Sequence, residues 1–276
     1  MRGRFAGSVA HTLLCATLLA TLSFQPVAQA ASFSGNGSTS DAPLQFKAEQ
    51  IIGLAKKVEK TLAAKGARVA IIGRIGRSRS EMPAGMHYTH AAFAVYSAIS
   101  TSDGRQLNGY AMFNDYQSDD HPDTSSLIQD YPVDFLAGVA ELEAGVIIPS
   151  AELQKRLLEV IASPTYQTMH DPRYSAIANP YTLGRQNCTE FVLDVLNAAI
   201  YQTSDIKVIK ANEKAFFVAQ PVNVNPLKLL LGAMFSAEIS TSDQPGPPPV
   251  TATFETIGAY LRHYDIGSEL FTLGPD

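Results

Sequence analysis

Two rhythms of apolar residues run along the chain. From Phe46 to Ala64, apolar positions 51, 52, 54, 55, 58 and 62 recur at helical spacing with Lys and Glu between them, and Gly66 ends the run. The stretch 67-ARVAIIGRIGR-77 has a β-branched core and predicts a strand entering a loop rich in glycine and arginine. Segments 88-YTHAAFAVYSAIS-100 and 105-RQLNGYAMFNDYQ-117 predict two further strands, paired as an antiparallel hairpin through the turn residues 101–104. Residues 118–126 are a polar loop, and a mixed region ends in the apolar run 146-VIIPS-150. Ser150 caps a predicted helix to Ile161 with Leu153, Leu157, Leu158 and Ile161 on one face. A loop with several prolines covers 163–186, and a helix follows from Cys188. Residues 206–222 are assigned to one or two strands, 226–235 to a short helix, 240–249 to an extended linker and 253–264 to a closing helix. This order predicts an α+β fold, a small antiparallel sheet packed on the Cys188 helix.

The N-terminal thirty residues have a different character. Arg2 and Arg4 precede an apolar run from Val9 to Leu22, and Ala28-Gln29-Ala30 forms a small-x-small site, together the pattern of an export signal. Residues 31–45 read as a flexible tail, and 46–276 as one domain with a C-terminal extension. The formal charge of −5 becomes −7 once Arg2 and Arg4 are removed, which argues against general nucleic-acid binding. No later apolar run reaches the ~18 residues of a membrane span. The expectation is a periplasmic or secreted protein without a transmembrane segment after signal removal.

Export sharpens the meaning of cysteine. Cys15 falls in the leader, so the mature chain keeps Cys188 alone, with no internal disulfide. Asn187 is a favoured N-cap and Glu190 stands where a capping box places it, so Cys188 opens the helix. There the helix dipole favours thiolate over thiol. The competing reading is a buried cysteine acting as a small hydrophobe.

A nucleophilic thiol needs a base and a group that orients the base. His90 is the leading candidate, starting an apolar strand and sharing a face with Ala92 and Ala94, whose small side chains leave room for a helix terminus. His121 and His170 stand in loops beside prolines and read as surface residues, while His87 faces away from His90. Folding the hairpin about 102–103 brings position 90 near 114 or 115, making Asn114 the candidate orienter, with Asp115, Tyr116 and Gln117 as alternatives. Arg74, Arg77 and Arg79 lie in the glycine-containing loop; arginines there either hold a substrate carboxylate or phosphate or are solvated. Tyr174 and Asp134-Phe135 are candidate cleft residues. The run from Asp119 to Asp123 lacks the spacing of a calcium loop.

Asn187-Cys188-Thr189-Glu190-Phe191-Val192 resembles the N-C-x-x-F-V signature of the circularly permuted NlpC-type papain-like superfamily, which includes the lecithin retinol acyltransferases. His90, Asn114 and Cys188 stand in the permuted order, histidine first and cysteine last. The mature chain also resembles a family of exported bacterial proteins of uncharacterised function through 73-GRIGR-77, 89-THAAFAV-95, 148-IPSAELQKRL-157 and 174-YSAIANPYTLGRQNCTEFVLDVLNAA-199. The resemblance implies a thioester mechanism on an amide or ester bond, with Cys188 as nucleophile, His90 as base and Asn114 as orienter, and neither metal nor organic cofactor. It fixes neither the third residue nor the substrate. Cell-wall peptides are the default for that compartment, and lipid or protein acyl groups are the rivals. The alternatives are a non-catalytic envelope module with a buried thiol and a redox sensor with an exposed one.

Overall fold

The computed structural model describes residues 45–100, 103–223 and 238–275. The expected leader, the expected tail as far as residue 44, the turn positions 101 and 102 and the helix expected at 226–235 lie outside the described residues.

A six-stranded antiparallel sheet forms the centre, in the order β4-β3-β2-β1-β5-β8. Its strands are β1 (Val69–Arg74), β2 (His90–Ser100), β3 (Gln106–Gln117), β4 (Ser125–Asp130), β5 (Ala144–Ile148) and β8 (Glu269–Leu273). A two-stranded ribbon joins β6 (Gln220–Pro221) to β7 (Val250–Thr251). The helices are α1 (Ala48–Ala64), α2 (Pro132–Phe135), α3 (Ala151–Ile161), α4 (Pro164–Thr168), α5 (Cys188–Tyr201), α6 (Ile206–Phe216) and α7 (Phe254–Tyr264).

Alternation along the strands divides the core in two. Ala70, Ile72, Ala92, Ala94 and Met112 face α1 and α2, meeting Ile51, Leu54, Val58 and Phe135. Val69, Ile71, Ala91, Phe93 and Val95 face the other helices, meeting Leu157, Phe191, Val195 and Leu261. The sheet therefore has an apolar layer on each side. Helix α5 is buried on all sides from Cys188 to Ala199, beyond the single apolar face that its sequence predicts.

Several expectations change. The segment from 206 folds as α6, because Asp205 accepts a hydrogen bond from Lys207 N and Ile209, Lys210 and Glu213 bury one helical face. The polar and mixed stretch from 118 supplies β4, and β8 completes the far edge of the sheet. Residues 240–249 are packed rather than extended: Asp243 accepts from Asn179 N at 2.8 Å, and Gln244 donates to Ile177 O at 2.7 Å.

A glycine pair seats the C-terminal helix on the sheet. Gly73 and Gly145 are cross-strand partners, and a Cβ at position 145 would stand 2.6 Å from the Phe254 ring and 2.7 Å from that of Tyr88. The missing side chains let Phe254 sink onto the sheet. Its neighbours Thr251 and Ala252 then reach the start of α5, with Asn187 Nδ2 donating to Thr251 Oγ1 at 3.0 Å and Thr189 Oγ1 to Ala252 O at 2.7 Å. The position of the cysteine thus depends on the close packing of a distant helix.

Candidate active site

Helix α5 begins at Cys188, as its cap predicts. Asn187 has extended backbone geometry, and its Oδ1 accepts from Glu190 N at 2.9 Å. Glu190 does not reach back to complete a capping box. Its carboxylate turns to Lys210 Nζ at 2.8 Å, in a buried cluster with Asp194 and Glu213.

Cys188 meets β2 where the sheet opens. Strands β2 and β3 are paired from Phe93–Phe113 to Ser100–Gln106, so His90 to Ala92 lie beyond the paired stretch. Cys188 Sγ donates to Thr89 O at 3.9 Å. Burial pushes the thiol up to about 12; the Ala91 and Thr189 backbone N–H groups and Arg74 act against the rise, while Asp115 adds to it. The expected thiolate is therefore not the resting form, because desolvation outweighs the helix terminus.

His90 lies on the other face of β2. Ala92 and Ala94 make room for α1 and α2 rather than for α5. The His90 ring stacks on Tyr116 at 4.8 Å between centroids, with an 8° interplanar angle, and Phe135 is 5.5 Å away. His90 Nε2 lies 3.4 Å from Asn114 Oδ1, while Asn114 Nδ2 donates to Asp130 Oδ1 at 2.7 Å and Tyr116 OH to Asp130 Oδ2 at 2.9 Å. The register of the paired stretch, continued past Phe93–Phe113, brings position 90 beside Tyr116 rather than 114 or 115, and Asn114 is the diagonal neighbour on the same face. Asp130 fixes the amide orientation, so the oxygen of Asn114 faces the ring, Nε2 carries the proton and the Nδ1 lone pair is left free. Burial, aided by the charge of Arg74, holds His90 well below its ordinary value and hence neutral. Burial also raises the Asp130 carboxyl to about 7.

Both residues line one cavity of about 310 Å³. No hydrogen bond among the described residues joins Cys188 to His90: the sulfur bonds to backbone beside the imidazole, and Nδ1 has no partner. Arg74, Arg77, Tyr116, Gln117 and Tyr174 also line the cavity, with Met82, Met86, Ile177, Val222 and Ile239 as an apolar wall. Arg74 belongs to β1 rather than to the loop, Arg77 pairs with Glu238 at 3.3 Å, and Arg79 turns away to Glu141 at 2.7 Å. Of the alternative orienters, Tyr116 stacks on the ring, Gln117 donates to Pro122 O, and Asp115 points to the opposite face.

His170 is not a surface residue. It is largely buried, with Nε2 3.0 Å from Ser125 Oγ and 3.2 Å from Asp115 Oδ1, and its ring is edge-on to Phe191. It is not among the residues lining the cavity. His87 is exposed near Glu255, and His121 is exposed in its loop. Asp130 was missed in the sequence because β4 does not show the alternation of a half-buried strand; its signal is position, one residue before Tyr131-Pro132, where proline keeps the chain extended.

Residues 61–261 match the family described as "Uncharacterized protein conserved in bacteria (DUF2145)". No curated protein and no solved structure matches the chain.

Proposed function

The chain belongs to the DUF2145 bacterial family, and we propose that it is a cysteine-dependent hydrolase or acyltransferase that cleaves an amide or ester bond through a thioester on Cys188. One observation carries the reading: the sulfur at the start of α5 and an imidazole with its Nε2 held by Asn114 line the same cavity. A circularly permuted papain-like fold of the NlpC type accounts for the order of histidine, amide and cysteine along the chain. Its site is reached as a neutral pair, thiol and imidazole, rather than as a resting thiolate.

In the first step Cys188 Sγ bonds to the carbonyl carbon as its proton passes through water in the shared cavity to His90 Nδ1, since no hydrogen bond joins the two side chains, and the carbonyl electron pair moves onto oxygen. The N–H groups of the first turn of α5 that Asn187 does not cap stabilise the oxyanion. Collapse expels the amine or alcohol, which takes the proton back from His90. Water, deprotonated by the same nitrogen, then attacks the thioester carbonyl; the C–S bond breaks, Cys188 Sγ takes that proton back from His90, and the acid is freed. In a transferase an acceptor amine or alcohol takes the place of water. Asp130 acts through Asn114, as a positioning residue. Cell-wall peptides fit the proposed periplasmic or secreted location, which rests on the leader pattern. No helix among the described residues is long and apolar enough to cross a membrane.

A panel of acyl esters, amides and cell-wall fragments, each assayed with wild type and Cys188→Ser, tests the proposal. Turnover of at least one substrate that disappears in the variant supports it; turnover surviving in Cys188→Ser refutes it. A second reading, a binding module with an inert thiol, draws on the raised thiol and its bond to Thr89 O. It expects no turnover and no adduct on Cys188.

A further inference from the structure

Arg74 is the odd member of its arginine cluster. Arg77 is half exposed and paired with Glu238, and Arg79 is paired with Glu141 and Glu143. Arg74 is 4% exposed and has no ion pair among the described residues. Its Nη1 donates to Phe135 O at 2.6 Å, its Nε is buried without a hydrogen bond, and its guanidinium lies over the Tyr116 and Phe135 rings at 5.6 and 5.3 Å. The nearby Asp130 already has its two oxygens bonded to Asn114 and Tyr116. Buried charges are ordinarily paired, because an isolated cation loses its hydration without compensation. Arg74 also lines the cavity that holds Cys188 and His90.

We infer that Arg74 is the anion-recognition residue of this site, so that the acyl donor carries a carboxylate or phosphate close to the carbonyl that Cys188 attacks. The inference rests on the hydrolase or acyltransferase reading for the carbonyl alone; the anion site stands without it. A planar guanidinium suits either anion, since both accept two parallel N–H bonds. The stacking on Tyr116 and Phe135 holds the fork in place before the ligand arrives. The cavity, near the small end of the range for ligand sites, admits a compact acyl group with its anion.

Binding is measured by the melting temperature of the wild-type protein in rising succinate, inorganic phosphate or neutral succinamide. The expected result is a saturable rise with succinate or phosphate and none with succinamide, the stronger anion naming the preferred group. Arg74→Gln should weaken that binding by about 10- to 100-fold, and Arg74→Lys by less. No rise with either anion, or an equal rise in Arg74→Gln, overturns the inference. Should Arg74→Gln fail to fold, wild-type turnover of a succinyl against a butyryl ester decides: preference for the succinyl ester supports Arg74, and equal use overturns it. Anion binding without any turnover contradicts the proposed function and leaves this site standing.

Discussion

His90 and His170 flank the same strand and do different things. Both contact side chains of β3, but neighbouring residues of a strand point to opposite faces, so His90 meets Asn114 while His170 meets Asp115. His90 has a neutral partner and lines the cavity; His170 has a carboxylate and a serine and ties the 163–186 loop to the sheet through β4. An amide that fixes a tautomer, with the other nitrogen left free, suits proton transfer. A buried histidine is therefore judged by what its bonded nitrogen meets and by whether the residue lines a cavity, as much as by its burial.

The largest effect separates these two residues. His90→Ala should lower turnover of any substrate found for the wild type by about 10²- to 10⁴-fold, the usual contribution of a general base. His170→Ala should leave turnover per folded molecule unchanged and lower unfolding free energy by about 1–3 kcal/mol, by stripping the hydrogen-bond partner from buried Ser125. Steady-state kinetics beside urea denaturation checks both, and the opposite allocation would reverse the roles.

The thiol sharpens the comparison through pH. Its folded value is raised to about 12, above that of an unfolded cysteine, so its contribution to stability is complete below the unfolded value. That contribution is lost as pH climbs from the unfolded value through about 12. Wild type should therefore lose stability relative to Cys188→Ala as pH rises from about 8 to about 11, by roughly 1.4 kcal/mol per unit in the steepest part. Denaturation at a series of pH values tests it; a constant difference between the two proteins would show that the thiol is not desolvated.

Smaller effects concern the supports. Gly145→Ala forces a methyl group against Phe254 and Tyr88 and should cost about 1–3 kcal/mol in denaturant unfolding, as overpacking does. Asp130→Leu removes the acceptor that orients the Asn114 amide and should lower turnover about tenfold, the equivalent of one hydrogen bond. Its signature is a shift of the His90 proton from Nε2 toward Nδ1 in ¹⁵N spectra of the imidazole; an unchanged tautomer would assign Asp130 to packing alone.

Part of this site was legible in the sequence. The Asn187 cap and the apolar positions after it place Cys188 at the first turn, and strand alternation places His90 with Asn114. These are local signals, fixed within a few residues. The state of the thiol was not legible, because burial comes from layers far apart in sequence, including the segment before Phe254 that the glycine pair admits. Nor was the face of His90: small residues at 92 and 94 show that a helix packs there, not which helix. Asp130 and His170 were hidden for a related reason, since their partners Asn114 and Asp115 are set by the β3–β4 pairing and a loop docked on it. The region from 206 shows propensity overruled, its β-branched residues taking a helix once Lys210 and Glu213 gain partners against α5.

The most direct measurement is intact-mass and peptide mapping of the protein after brief exposure to an activated acyl donor. The account predicts a single acyl group on Cys188 in wild type, formed far more slowly in His90→Ala and absent in Cys188→Ala. Substrate consumed with Cys188 unmodified, or the same adduct forming in Cys188→Ala, would contradict it.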